Sequence, residues 1–155
     1  MLRFVTLIAA TAVTVGLTVT GLAGTAAAEE QLSKKQFLKQ ANALCKDAFT
    51  ALDAGLSEQF AGLGENEEPS RAQIEAAVGS LVEILGGAAT DIEALAGPVA
   101  LERKVDTFLD RFTTVVDAFD THPRSTFAEE LSGYPFAKSD AFAKKIGLQG
   151  CAQRR

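Results

Sequence analysis

Ser70-Arg71-Ala72-Gln73-Ile74-Glu75-Ala76-Ala77-Val78-Gly79-Ser80-Leu81-Val82-Glu83-Ile84-Leu85-Gly86-Gly87-Ala88-Ala89-Thr90-Asp91-Ile92-Glu93-Ala94-Leu95 is the stretch that decides the fold class. Ile74, Val78, Leu81, Leu85, Ala88, Ile92 and Leu95 follow one another at alternating spacings of four and three, a heptad-like seam. That period belongs to a helix packed in an antiparallel bundle and has no counterpart in a strand. Ser70 and Gln73 stand in capping-box relation just ahead of the seam. Gly86-Gly87 interrupts it and predicts either a kink or the close approach of a neighbouring backbone.

Upstream, an acidic loop over 64–69 separates this helix from an earlier one with the same signature. Ser33 is its N-cap, Gln36 completes a capping box, and Leu32 pairs with Phe37 as a hydrophobic staple. Phe37, Ala41, Leu44, Cys45, Ala48 and Leu52 form its apolar face, and its end is expected between Ala54 and Ala61, where glycines begin. Downstream, Gly97-Pro98 closes the seam helix and opens a third, with Pro98 in the first turn. The third helix is expected to bury Leu101, Val105, Phe108, Phe112, Val115 and Phe119, with Glu102, Arg103, Asp106, Asp110, Asp117 and Asp120 on its other face. Pro123 stops it, one short turn is expected over 126–131, and a last helix over 136–146. Gly147 then suits a left-handed cap, with Leu148 as its apolar contact. No run alternates polar and apolar residues over useful length. The reading is all-α: a four-helix up-and-down bundle.

Residues 1–28 stand apart from this pattern. Arg3 is their one charge, the run over 4–22 is apolar or Thr/Gly, and Ala26-Ala27-Ala28 precedes the acids Glu29 and Glu30. A basic start, an apolar run and an A-x-A exit describe a secretory signal peptide cleaved after Ala28. An uncleaved anchor is the competing reading, since the run is barely long enough to span a bilayer. Its Thr and Gly content favours cleavage and hence a secreted product with no stable membrane anchor. Residues 29–155, 127 of the 155, then form a single helical domain with enough chain for a core. Cys45 and Cys151 are the only cysteines. In an exported chain an even count reads as a disulfide, here closing the bundle. The loop of about 106 residues is worth on the order of 4–5 kcal/mol of chain entropy. Two free, buried thiols would be the alternative.

Candidate chemistry is sparse. A formal net charge of −5 argues against nucleic acid, whose phosphates call for a basic face. His122 is the only His and precedes Pro123 at a helix end, poorly placed to activate a nucleophile. One His and two distant Cys supply no metal set. Glu65, Glu67 and Glu68 lack the spacing of a calcium loop and would at most bind a divalent ion weakly. Asp106 and Asp110 lie one turn apart and are the pair an acid-only hydrolase would use. Phe108, Phe112, Phe119 and Phe127 could line a cavity for a lipid or haem between the second and third helices near Gly86-Gly87. The plainer reading is that Phe at helical spacing fills the core, and haem would want an axial ligand that His122 and Tyr134 supply poorly. No cofactor is expected.

Lys35-x-Phe37-Leu38-x-x-Ala41-Asn42-Ala43-Leu44-Cys45 and the closing Gly147-Leu148-Gln149-Gly150-Cys151 resemble a group of small exported actinobacterial helical proteins of unknown function. The group shares an early A-x-x-x-C helix and a closing G-L-x-x-C; many members are lipoproteins, and this chain lacks the anchoring Cys. The resemblance implies export, a disulfide and an all-α fold, and carries no functional residues. The expected function is therefore partner binding by a secreted, non-enzymatic protein, the partner being a protein or component of the cell envelope or medium. The alternative is a carrier of a small apolar ligand in a Phe-lined interior.

Overall fold

A helix begins where its first amides find acceptors, and in this chain two serines provide them. The structure, a computed structural model, describes residues 31–64, 67–123, 125–126 and 135–152. Among these, α1 is Lys34–Gln59, α2 Arg71–Glu93, α3 Val99–Thr121 and α4 Ala137–Ile146; a 3-10 turn follows at Gln149–Cys151, and no strand is present. The fold is all-helical.

Ser33 accepts from the Gln36 amide while the Gln36 side chain accepts from the Ser33 amide at 3.1 Å. Ser70 and Gln73 repeat the exchange on α2, with the return bond at 2.9 Å. Each such cap is worth about 1 kcal/mol. α3 begins differently. Pro98 is its N-cap, extended at φ −71° and ψ 136°, so the helix proper starts at Val99 and not at the proline. α2 also ends sooner than its seam suggests: Leu95 already lies past the helix, in the turn that leads to Pro98.

The four helices and the 3-10 turn share one core. Phe37, Ala41, Cys45 and Leu52 enter it from α1, Val78, Leu81, Leu85, Ala89 and Ile92 from α2, and Leu101, Val105, Phe108, Phe112, Val116 and Phe119 from α3. Ala143 and Ile146 of α4, then Leu148 and Cys151, complete it. α1 packs on α2, α2 on α3, α3 on α4, and the 3-10 turn returns to α1. Two details depart from the sequence reading. Of the adjacent pair on α3, Val116 and not Val115 is buried, because Phe112-Val116-Phe119 follows the i, i+4, i+7 line; Val115 is half-buried. Gly86 and Gly87 lie inside an uninterrupted α2, and a Cβ at either would meet nothing within 4 Å, so no neighbouring backbone approaches there.

The chain ends are clasped together. Cys45 and Cys151 form the disulfide, their Cα atoms 4.8 Å apart across a sequence separation of 106, and both are buried. α4 stops in a Schellman motif: Gly147 sits at φ +96°, its amide donates to Lys144, and the Leu148 amide donates to Ala143 at 2.9 Å. Asn42, one turn before Cys45, then grips the returning strand of chain. Its Nδ2 donates to the Gly147 carbonyl at 3.0 Å, and its Oδ1 accepts from the Gly150 amide at 2.5 Å. At Gly150 an added Cβ would fall on the Asn42 backbone, with its carbonyl oxygen the nearest atom, so only glycine permits this approach.

Candidate functional site: an acid-rimmed cleft between two helices

A cleft opens where α2 meets α3. The connection between α2 and α3 is held by two hydrogen bonds to its carbonyls: the Leu32 amide donates to Ala96 at 2.8 Å and the Gln31 side chain to Gly97 at 2.9 Å. These bonds wall one end of the cleft, which is about 690 Å³ in volume. Ile92 and Leu95 line it from the α2 side, Leu101, Val105 and Leu109 from α3 and Phe37 from α1, giving it an apolar floor. Val99 stands at its mouth with 72% of its surface exposed, the one large hydrophobic residue so exposed among those described. Glu93 of α2 and Glu102 and Asp106 of α3 form the rim, and all three are exposed.

The cleft continues along the helix pair as a shallower groove that shares Glu93, Asp106 and Leu109 and adds Gly86, Ala89, Thr90, Asp110 and Thr113. Gly86, without a side chain, leaves room in this groove. The two hydroxyls are turned back on their own helices, Thr90 to the Gly86 carbonyl at 3.1 Å and Thr113 to that of Leu109 at 2.9 Å. The free polarity of the groove is therefore anionic. No Lys, Arg or His lines either part, and Glu93, Glu102, Asp106 and Asp110 make no ion pair among the described residues. Glu102, Asp106 and Asp110 recur every four residues, about 6 Å apart along the axis.

The residues singled out from sequence fall in different places. Phe108, Phe112 and Phe119 are core: Phe108 and Phe112 have ring centroids 5.5 Å apart, Phe112 and Phe136 also 5.5 Å, and Phe119 and Phe136 6.1 Å. None of the three lines the α2–α3 cleft or groove. Phe127 and Tyr134 lie outside the described residues, as does most of the turn expected over 126–131. Asp106 and Asp110 come together on the rim. His122, the exposed C-cap of α3, is about 24 Å along the helix axis from Asp106, too far to share a proton with that pair. Glu67 and Glu68 are exposed, with Glu67 accepting from the Gly64 amide at 3.1 Å; Glu65 is outside the described residues. Among the described residues no group of three or more His, Cys, Asp or Glu could hold a metal ion, and no helix is long and apolar enough to cross a membrane.

Sequence reasoning passed over three buried polar residues. Thr126 donates to the Ala118 carbonyl at 2.9 Å and Ser139 to that of Phe136 at 2.8 Å; Asp140, 5% exposed, sits in the first turn of α4. Ser139 and Asp140 are of types usual at exposed helix starts, and they lie on α4, which packs against α3. The cleft was missed for a related reason. Its acids are ordinary helix-surface residues in the sequence, and the concavity between them exists only once α2 and α3 are side by side. Comparison with protein-family models, with characterised proteins and with solved structures found no match to this chain.

Proposed function

We propose that this is a secreted, non-enzymatic helical protein that binds a protein or other component at the cell envelope or in the medium, and that it does so through the α2–α3 cleft. The observation that carries the reading is the cleft itself: apolar floor, exposed Val99 at the mouth, and a rim of carboxylates without ion-pair partners among the described residues. A recess with an apolar floor and a polar edge is a shape that a partner site takes. Secretion fits the signal-peptide pattern of residues 1–28, with cleavage after Ala28. The buried disulfide fits an oxidising compartment. The resemblance of both chain ends to exported actinobacterial proteins points the same way, and an up-and-down arrangement of the four helices suits their neighbour order.

A photo-crosslinker at Val99 in the exported protein should give a discrete adduct with envelope or medium fractions, while the same probe at Lys144 on α4 gives none. Equal labelling from both positions, or none from either, would overturn the reading. Native mass spectrometry of protein recovered from the medium tests the rest. The chain should begin at Glu29 and lack two hydrogens that reductant restores. Additional mass shed only on denaturation would favour the apolar-ligand carrier instead. That carrier has less support, because Phe108, Phe112 and Phe119 already occupy one another or Phe136.

A further inference from the structure

We infer that the occupant of the α2–α3 cleft is a basic amphipathic segment of a partner polypeptide, helical when bound, with Lys or Arg repeating every four residues beside an apolar stripe. The inference rests on the reading of the cleft as a binding surface and adds the chemistry of what fills it.

The charged residues that line the cleft and groove are all acidic. α2 carries Glu75, Glu83, Asp91 and Glu93 against Arg71 alone, and Arg71 is already bound to Glu75 at 2.6 Å. Glu102, Asp106 and Asp110 face the groove from α3. The cations lie elsewhere: Lys34, Lys35, Lys39 and Lys46 on α1, Lys138, Lys144 and Lys145 on α4, and Arg111 of α3 over the Phe142 ring at 4.6 Å. Arg103 and Lys104 follow Glu102 on α3 but line neither the cleft nor the groove. Arg103 and Lys104 share a neighbouring depression with Val99, Glu102 and Asp106, but the lining of the cleft and groove itself is anionic, and a cationic segment finds its countercharges there.

Geometry narrows the class further. From Val99 to Thr113 the cleft and groove extend about 20 Å, the length of a helix of nearly four turns. Carboxylates at about 6 Å intervals match cations at i, i+4 and i+8 on a facing helix. The apolar floor would receive the stripe beside those cations, the groove-binding mode of amphipathic helices. A polyanion, a nucleic acid or an anionic lipid surface would meet like charge along the whole rim. Lys and Arg stems, apolar below a charged head, suit a site apolar below and anionic above.

The test uses the full oxidised chain and three fluorescent peptides of about 14 residues. One has Lys at i, i+4 and i+8 beside a Leu stripe; one has the same composition scrambled; one has every Lys replaced by Gln. The patterned basic peptide should bind at least about tenfold more tightly than either control, lose affinity as salt rises, and shift the amide resonances of Val99, Glu102, Asp106 and Leu109. Asp106→Lys, at an exposed position, should weaken it about tenfold or more without altering Tm. If the Gln peptide perturbs the same resonances and binds as tightly, the charge inference fails while the cleft as a binding surface survives. If no peptide perturbs them, both fail.

Discussion

The clasped side of the molecule and the cleft side are built from the same kinds of helix and treat their surfaces in opposite ways. Where α1 meets the C-terminal turn, polar groups are spent on the fold: Asn42 uses both ends of its amide, Gly150 gives up a side chain, and Cys45 and Cys151 are joined and buried. Where α2 meets α3, Glu93, Glu102 and Asp106 serve no partner among the described residues, and apolar side chains line an open recess. The clasp joins α1 to the C-terminal turn, whereas the cleft lies where α2 meets α3.

The widest gap between the two sides should appear when the bridge is removed. Replacing Cys45 and Cys151 together with Ser should lower stability by about 3–4 kcal/mol, and Tm by on the order of 10 °C, read by thermal unfolding without reductant. The wild-type protein should lose the same stability in reductant; an unchanged Tm in both would mean that the clasp contributes nothing. Next in size is Gly150→Ala, which forces a Cβ onto the Asn42 backbone. It should cost roughly 2–3 kcal/mol in urea unfolding although only one methyl is added. Asn42→Ala follows at about 1–3 kcal/mol, because it strands the Gly150 amide and the Gly147 carbonyl. At the bottom, Val99→Ser and Asp110→Asn should each fall within about 0.5 kcal/mol of wild type, since both are exposed and neither holds another element in place. A large loss at either would show the cleft to be structural and erase the contrast.

The capping boxes at Ser33 and Ser70, the end of α1 near residue 59, the left-handed Gly147 and the acidic outer face of α3 were all legible beforehand, because each depends on contacts within four residues. Errors gathered where the outcome hung on another element. Val115 and Val116 are adjacent, and which one is buried follows from the rotation of α3 against its neighbours. Gly86-Gly87 looks like a kink or close contact in one dimension, yet α2 runs through it uninterrupted and Gly86 lines a groove. Asn42 reads as a polar residue on a half-buried face, yet it holds residues 105 and 108 positions away.

Helix class and capping were thus determined by the sequence alone, since hydrophobic period and cap chemistry are local and act before any packing. Count and spacing of the cysteines limited the bridge to one pairing for the same reason: two thiols leave no other choice within a chain. Tertiary structure alone decided that the acids of α2 and α3 converge on one cleft, and that Ser139 and Asp140 are buried. Those outcomes depend on how helices rotate and seat against one another, which follows from side-chain packing between segments far apart in the chain.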